Sequence, residues 1–81
     1  MKQLQLSDLV FIDNPKGINY WGRVTGRSNE QITCVHYKNF ELGGSPDFSK
    51  GFRSFITNQI IKNAGQITNK ELEEQYPEYI I

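Results

Sequence analysis

Three short runs of β-branched and aromatic residues, each bordered by turn formers, restrict this chain more than any other feature. They are Asp8-Leu9-Val10-Phe11-Ile12-Asp13, Tyr20-Trp21-Gly22-Arg23-Val24-Thr25-Gly26 and Gln31-Ile32-Thr33-Cys34-Val35-His36-Tyr37. Such side chains fit a pleated, half-buried surface, and Asn, Pro, Gly or Ser at the borders ends each run, so all three read as strands. Asn14-Pro15-Lys16-Gly17 is a specified turn, with Pro setting φ and Gly tolerating a positive one. Ser28-Asn29-Glu30 closes the next hairpin. Gly22 and Gly26 fall within and just after the second run, where a missing side chain permits a bulge or a close crossing.

The first run is apolar on both faces, Leu9 and Phe11 on one and Val10 and Ile12 on the other, which predicts a strand covered on both sides. Lys38 to Lys50 breaks the rhythm around Gly43-Gly44-Ser45-Pro46-Asp47 and reads as a long excursion, a kind of loop that is often functional. Gly51-Phe52-Arg53-Ser54-Phe55-Ile56 then predicts a fourth strand, and Gln59-Ile60-Ile61-Lys62 a fifth. After these the period changes. Thr68-Asn69-Lys70-Glu71 has the spacing of a capping box, Leu72 and Tyr76 share a helical face, and Pro77 marks the stop. A helix of about two turns cannot persist in water alone, so it must dock on the strands.

At 81 residues the chain reads as a single domain (1–81), with a β body over 6–62 and a helical C-terminal segment over 66–81. Alternation assigns the core to Leu9, Phe11, Trp21, Val24, Ile32, Cys34, Phe55 and Ile60. One cysteine precludes an internal disulfide. The longest apolar run, Leu9 to Ile12, is too short to cross a bilayer. Met1-Lys2-Gln3-Leu4-Gln5 lacks a leader's apolar stretch, so a cytoplasmic location with no membrane partner is expected. Frequent Asn, Gln, Ile and Lys fit an AT-rich bacterial or phage genome. Net charge is zero, yet residues 1–62 carry +3 and residues 63–81 carry −3. That asymmetry fits either a basic body shielded by its acidic end or an ordinary solvated helix face.

Catalytic chemistry finds little footing. Cys34 and His36 share one face of a strand, but Cys34 also shares it with Ile32 and reads as core. No second Cys or His completes a metal site, so no metal and no cofactor are expected. The glycines and Lys50 of the long loop lack P-loop spacing. A non-enzymatic chain is the expectation. Binding has more support. Tyr37, Phe40, Phe48 and Phe52 gather around the loop with Lys38, Lys50 and Arg53, while Tyr20 next to Trp21 puts one ring outward and one inward. Rings interleaved with cations suit a protein interface, and equally suit single-stranded nucleic acid, where bases stack and phosphates pair, unless three of the four loop rings fill the core of so small a domain.

The chain resembles the SH3-like small barrels, the group that includes Tudor and KOW modules, from about Leu6 to Lys62. The resemblance rests on Asp8-Leu9-Val10-Phe11-Ile12, Gly22-Arg23-Val24-Thr25-Gly26, Ile32-Thr33-Cys34-Val35 and a closing Gln59-Ile60-Ile61. The Ala-Leu-Tyr-Asp-Tyr run and Trp-Trp pair of signalling SH3 domains are absent. What the likeness implies is a mainly β fold, a five-stranded SH3-like barrel or meander with a short C-terminal α-helix, that serves as a binding module. The leading expectation is a protein-binding interaction module that uses Tyr20, Arg23, Tyr37, Lys38, Phe40, Phe48, Lys50 and Arg53. One alternative is a nucleic-acid-binding module using Arg23, Arg27, Lys38, Lys50 and Arg53. The other is an assembly subunit of a larger complex.

Overall fold

The strand-forming runs assemble into one antiparallel sheet. The computed structural model describes residues 4–80. It contains β1 (Leu9–Ile12), β2 (Tyr20–Ser28), β3 (Gln31–His36), β4 (Arg53–Ile56) and β5 (Ile60–Gly65), followed by helix α1 (Asn69–Gln75). The spatial order is β4-β3-β2-β1-β5. Met1, Lys2 and Gln3, where the leader reading begins, and Ile81 at the end of the helical segment lie outside the described residues. β2 runs on to Ser28, into the predicted turn, and β4 and β5 also differ in extent from expectation. β4 starts at Arg53 because Gly51, at φ 89°, leaves the extended conformation. β5 runs on to Gly65, which pairs with Leu9 across a ladder containing two register shifts.

Each face of the sheet buries its own apolar layer. Val10, Ile12, Val24, Ile32, Cys34 and Phe55 form one, with Tyr20 and Ile60 packed at its margin. Leu9, Phe11, Trp21, Tyr37 and Leu72 form the other, backed by Ile67, Tyr76 and Tyr79 from the C-terminal segment. The double-sided burial expected of β1 is therefore present, and it brings Val10 and Ile12 into the core beside the expected residues. Ile60 is only half-buried, because it sits at the first position of an edge strand.

Rings dominate the second layer. Trp21 lies 5.3 Å from Phe11 and 5.4 Å from Tyr76, and Phe11 lies 5.0 Å from Tyr79, all in tilted contacts. Tilted arrangements match the quadrupoles of the rings better than face-to-face stacking. In the first layer, Gly22 is required by close approach. A Cβ there would stand 2.7 Å from Cys34 Sγ, so any larger residue would force β3 away from β2.

The C-terminal helix is set by its cap. Thr68 Oγ1 accepts from Glu71 N at 3.1 Å, and Glu71 Oε1 accepts from Thr68 N at 3.1 Å. These reciprocal bonds satisfy N–H groups that the first turn would leave unpaired. Leu72 is fully buried, so this short helix owes its stability to docking, as expected. Thr68→Ala should cost ~0.5–2 kcal/mol, read as a lower urea midpoint with an unchanged slope. A changed slope would mean that the substitution alters compactness and not only the cap.

Candidate functional site: an aromatic and basic cleft beside the long loop

The segment between β3 and β4 is not a free excursion. A 3-10 turn at Tyr37–Asn39 leads into Phe40, which is 93 % removed from solvent, and Asp47 N donates to Asn39 O at 2.8 Å, closing the base of the loop. A second 3-10 turn at Phe48–Lys50 is capped by the Asp47 carboxylate, which accepts from Ser49 N at 2.9 Å. The Ser49 hydroxyl, and then its amide, hold that carboxyl below its usual range. The loop thus returns Phe48, Lys50 and Phe52 to one side of the sheet.

There Lys50 and Phe52 border an open cleft of about 530 Å³ together with Asn14, Tyr20, His36, Asn39 and Arg53, with Phe48 beside Phe52 at its margin. Tyr20 and His36 stack with their planes 2° apart and centroids at 5.6 Å. Phe48 and Phe52, both more than half exposed, meet edge-on at 6.0 Å. The wall is therefore made of rings, two cations and two amides. Among the described residues, no carboxylate lines the cleft, and neither Lys50 nor Arg53 has a carboxylate within ion-pair distance.

Burial, and then the neighbouring Cys34, raises the Tyr20 phenol above its ordinary range, with Arg53 pulling the other way, so Tyr20 is a neutral hydroxyl at physiological pH. Burial pushes the Cys34 thiol up to about 11. A thiol so protonated is a poor nucleophile and metal ligand. His36 is lowered by burial and by Lys38, and its Nδ1 accepts from Lys38 N at 3.2 Å. Cys34 and His36 therefore sit near one another as core and wall residues. Among the described residues, no group of three or more His, Cys, Asp or Glu is placed to hold a metal ion.

Of the eight residues expected to bind, Tyr20, Lys50 and Arg53 line this cleft and Phe48 flanks it. Lys38 is exposed, its Nζ 6.0 Å from the Tyr37 ring. The other three are not on the surface. Tyr37 and Phe40 are buried, and Tyr37 donates its hydroxyl to Glu73 Oε2 at 2.7 Å. Burial and that carboxylate raise the Tyr37 phenol to about 12.

Arg23 is fully buried. Its Nε donates to Phe40 O at 2.7 Å, Nη1 to Ser7 O at 2.9 Å, and Nη2 to Ile67 O at 2.9 Å and Asn69 Oδ1 at 2.7 Å. Glu41 lies 3.8 Å away and is half-exposed. Asn69 reinforces the knot by donating Nδ2 to Tyr37 O and N to Glu41 Oε1. These amide bonds, with Leu42 N and then Arg23, hold the Glu41 carboxyl below its usual range. Ser7 occupies the left-handed region at φ 73° while its carbonyl receives Arg23. A guanidinium suits this role because its rigid fork reaches several acceptors at once. Both the protein-binding and the nucleic-acid readings placed Arg23 on the surface. Its location is corrected here: on β2 it faces the same side as Trp21, which the C-terminal segment covers.

Asn14, His36 and Asn39 join the cleft without a signal in the sequence, since their nearness depends on where the β1–β2 and β3–β4 connections meet. No family model, curated protein or solved structure matches this chain. Among the described residues, no helix is long and apolar enough to cross a membrane.

Proposed function

We propose that this is a non-enzymatic interaction module, built as an SH3-like small barrel, that binds a protein partner through the cleft and the 38–53 loop in the cytoplasm. The barrel reading draws support from the strand order and from the single 3-10 turn, Thr57–Gln59, that links the two edge strands β4 and β5. The observation that carries the binding reading is the Phe48–Phe52 pair, held exposed beside Lys50 and Arg53 by a capped turn. Solvent-facing rings beside cations are the usual anchors of protein interfaces. Affinity purification with mass spectrometry, using nuclease-treated lysate, tests it. A partner should be retained by the wild type and lost by a Phe48→Ala, Phe52→Ala double variant, whose fold should be unaffected because neither ring is in the core. Equal recovery by both proteins would rule the cleft out.

The nucleic-acid reading loses Arg23 but keeps the exposed Arg27 and Lys38 together with Lys50 and Arg53, the two cations on the cleft wall, which no carboxylate lines among the described residues. Under that reading affinity should fall steeply with salt, by a log–log slope of about −0.7 per phosphate contact for single strands. The assembly-subunit reading predicts instead a stable stoichiometric complex.

A further inference from the structure

Resting on the protein-binding reading above, we infer that the partner supplies an extended acidic segment, which pairs as an added strand along the free edge of β4. Among the described residues, β4 is the terminal strand of the sheet on one side, paired only with β3. Antiparallel backbone groups alternate in direction along a strand. Thr57 N donates to Glu30 O at 2.8 Å, continuing the β3 ladder in which Phe55 faces Ile32. Ser54 and Ile56 therefore turn their backbone groups to the open edge. Ile56 N is already satisfied by Gln59 Oε1 at 3.0 Å. Ser54 keeps an outward donor and acceptor, the pair that an incoming strand requires.

The surroundings specify the charge of that strand. A second cleft, of about 300 Å³, lies against this edge between Ser54 and the Asn14–Lys16 turn. It joins the larger cleft, because Asn14 and Arg53 line both. The combined path carries Lys16, Lys50 and Arg53, and among the described residues no carboxylate lines either part. An edge strand gives affinity through its main chain and specificity through flanking side chains. Three cations along one path, none with a carboxylate within ion-pair distance among the described residues, favour carboxylates on the visitor and disfavour a basic segment. A nucleic acid could answer the cations, but it has no backbone ladder to offer Ser54.

The test is an NMR titration of the full chain with a short peptide alternating Glu and Val, its Lys–Val counterpart, and an oligothymidylate. The Glu–Val peptide should shift amides across 52–56 and slow hydrogen exchange at Ser54. Arg53→Glu should weaken it at least about tenfold, as loss of a charge-assisted contact implies. Ser54→Pro should do likewise, since proline deletes the outward N–H at a position where edge strands accept it. If that variant fails to fold, exchange at Ser54 in the wild type still decides the matter. Peptide binding that shifts Tyr20 and Phe52 but leaves Ser54 exchange unchanged would overturn edge pairing and leave the cleft as a protein site. Equal binding of the Lys–Val peptide would overturn the acidic preference. Response to oligothymidylate alone, or to no probe, would overturn the inference, and the former would also overturn the reading beneath it.

Discussion

Arg23→Ala should leave no folded protein at room temperature. The substitution strands four acceptors around a fully buried guanidinium, the buried carbonyl of Phe40 and the partly buried carbonyls of Ser7 and Ile67 and side chain of Asn69. Each buried polar group left unsatisfied costs ~1–3 kcal/mol, and the deleted side chain adds a cavity on top. The whole stability of a small domain is typically about 5–15 kcal/mol, with chains of this size toward the lower end. Arg23→Lys should rescue little, because one ammonium cannot span acceptors arranged around a planar fork. Glu41→Gln is the informative contrast. Glu41 is half-exposed and meets Arg23 only at 3.8 Å, so its charge should be worth no more than ~1 kcal/mol. Urea titration followed by Trp21 fluorescence reads all three. A stable Arg23→Ala protein with weakened partner binding would return Arg23 to the surface role its sequence context suggests.

Deleting residues 66–81 should likewise unfold the body. Leu72 is fully buried, and Ile67, Tyr76 and Tyr79 lie over Phe11 and Trp21, so truncation would hand an entire aromatic layer back to water. Burying one large apolar side chain is worth ~1.5–3 kcal/mol, and several would be lost at once. The cut would also remove Ile67 O and Asn69 from Arg23. Leu72→Ala is the milder form, costing ~2–5 kcal/mol through the cavity it leaves. A collapsed amide spectrum is the expected result for the truncation. A folded truncated body that gained affinity for anions would instead mean that the acidic end is a shield. The position of α1 argues against that, since no residue of the helix lines the cleft.

How much of this was legible from the chain follows from what each residue's neighbours in sequence can decide. Two-residue alternation and flanking turn formers located the five strands, because strand geometry repeats locally and solvent sorts the two sides. The four consecutive apolar residues of β1 announced burial on both faces, and both layers exist. Thr68 and Glu71 specified a helix start through bonds three residues apart, needing nothing from elsewhere. The Tyr20 and Trp21 pairing was open in register, and the sheet resolves it: Trp21 is sealed under the C-terminal segment, and Tyr20 stands half-buried at the cleft.

Composition around the loop drew Tyr37, Phe40, Phe48 and Phe52 into one cluster, but the tertiary structure divides it. Tyr37 is buried in the layer that holds Leu72 of α1 and Phe40 is buried against Arg23, while Phe48 and Phe52 are turned outward by the Asp47-capped turn. Local sequence carries no information about which side a distant segment will cover. Arg23 shows the same limit most sharply. A charged residue in a strand is ordinarily a solvated one, because burying an unpaired charge is prohibitive. Its partners come from residues 7, 40, 67 and 69, and only the folded chain brings those acceptors to one guanidinium.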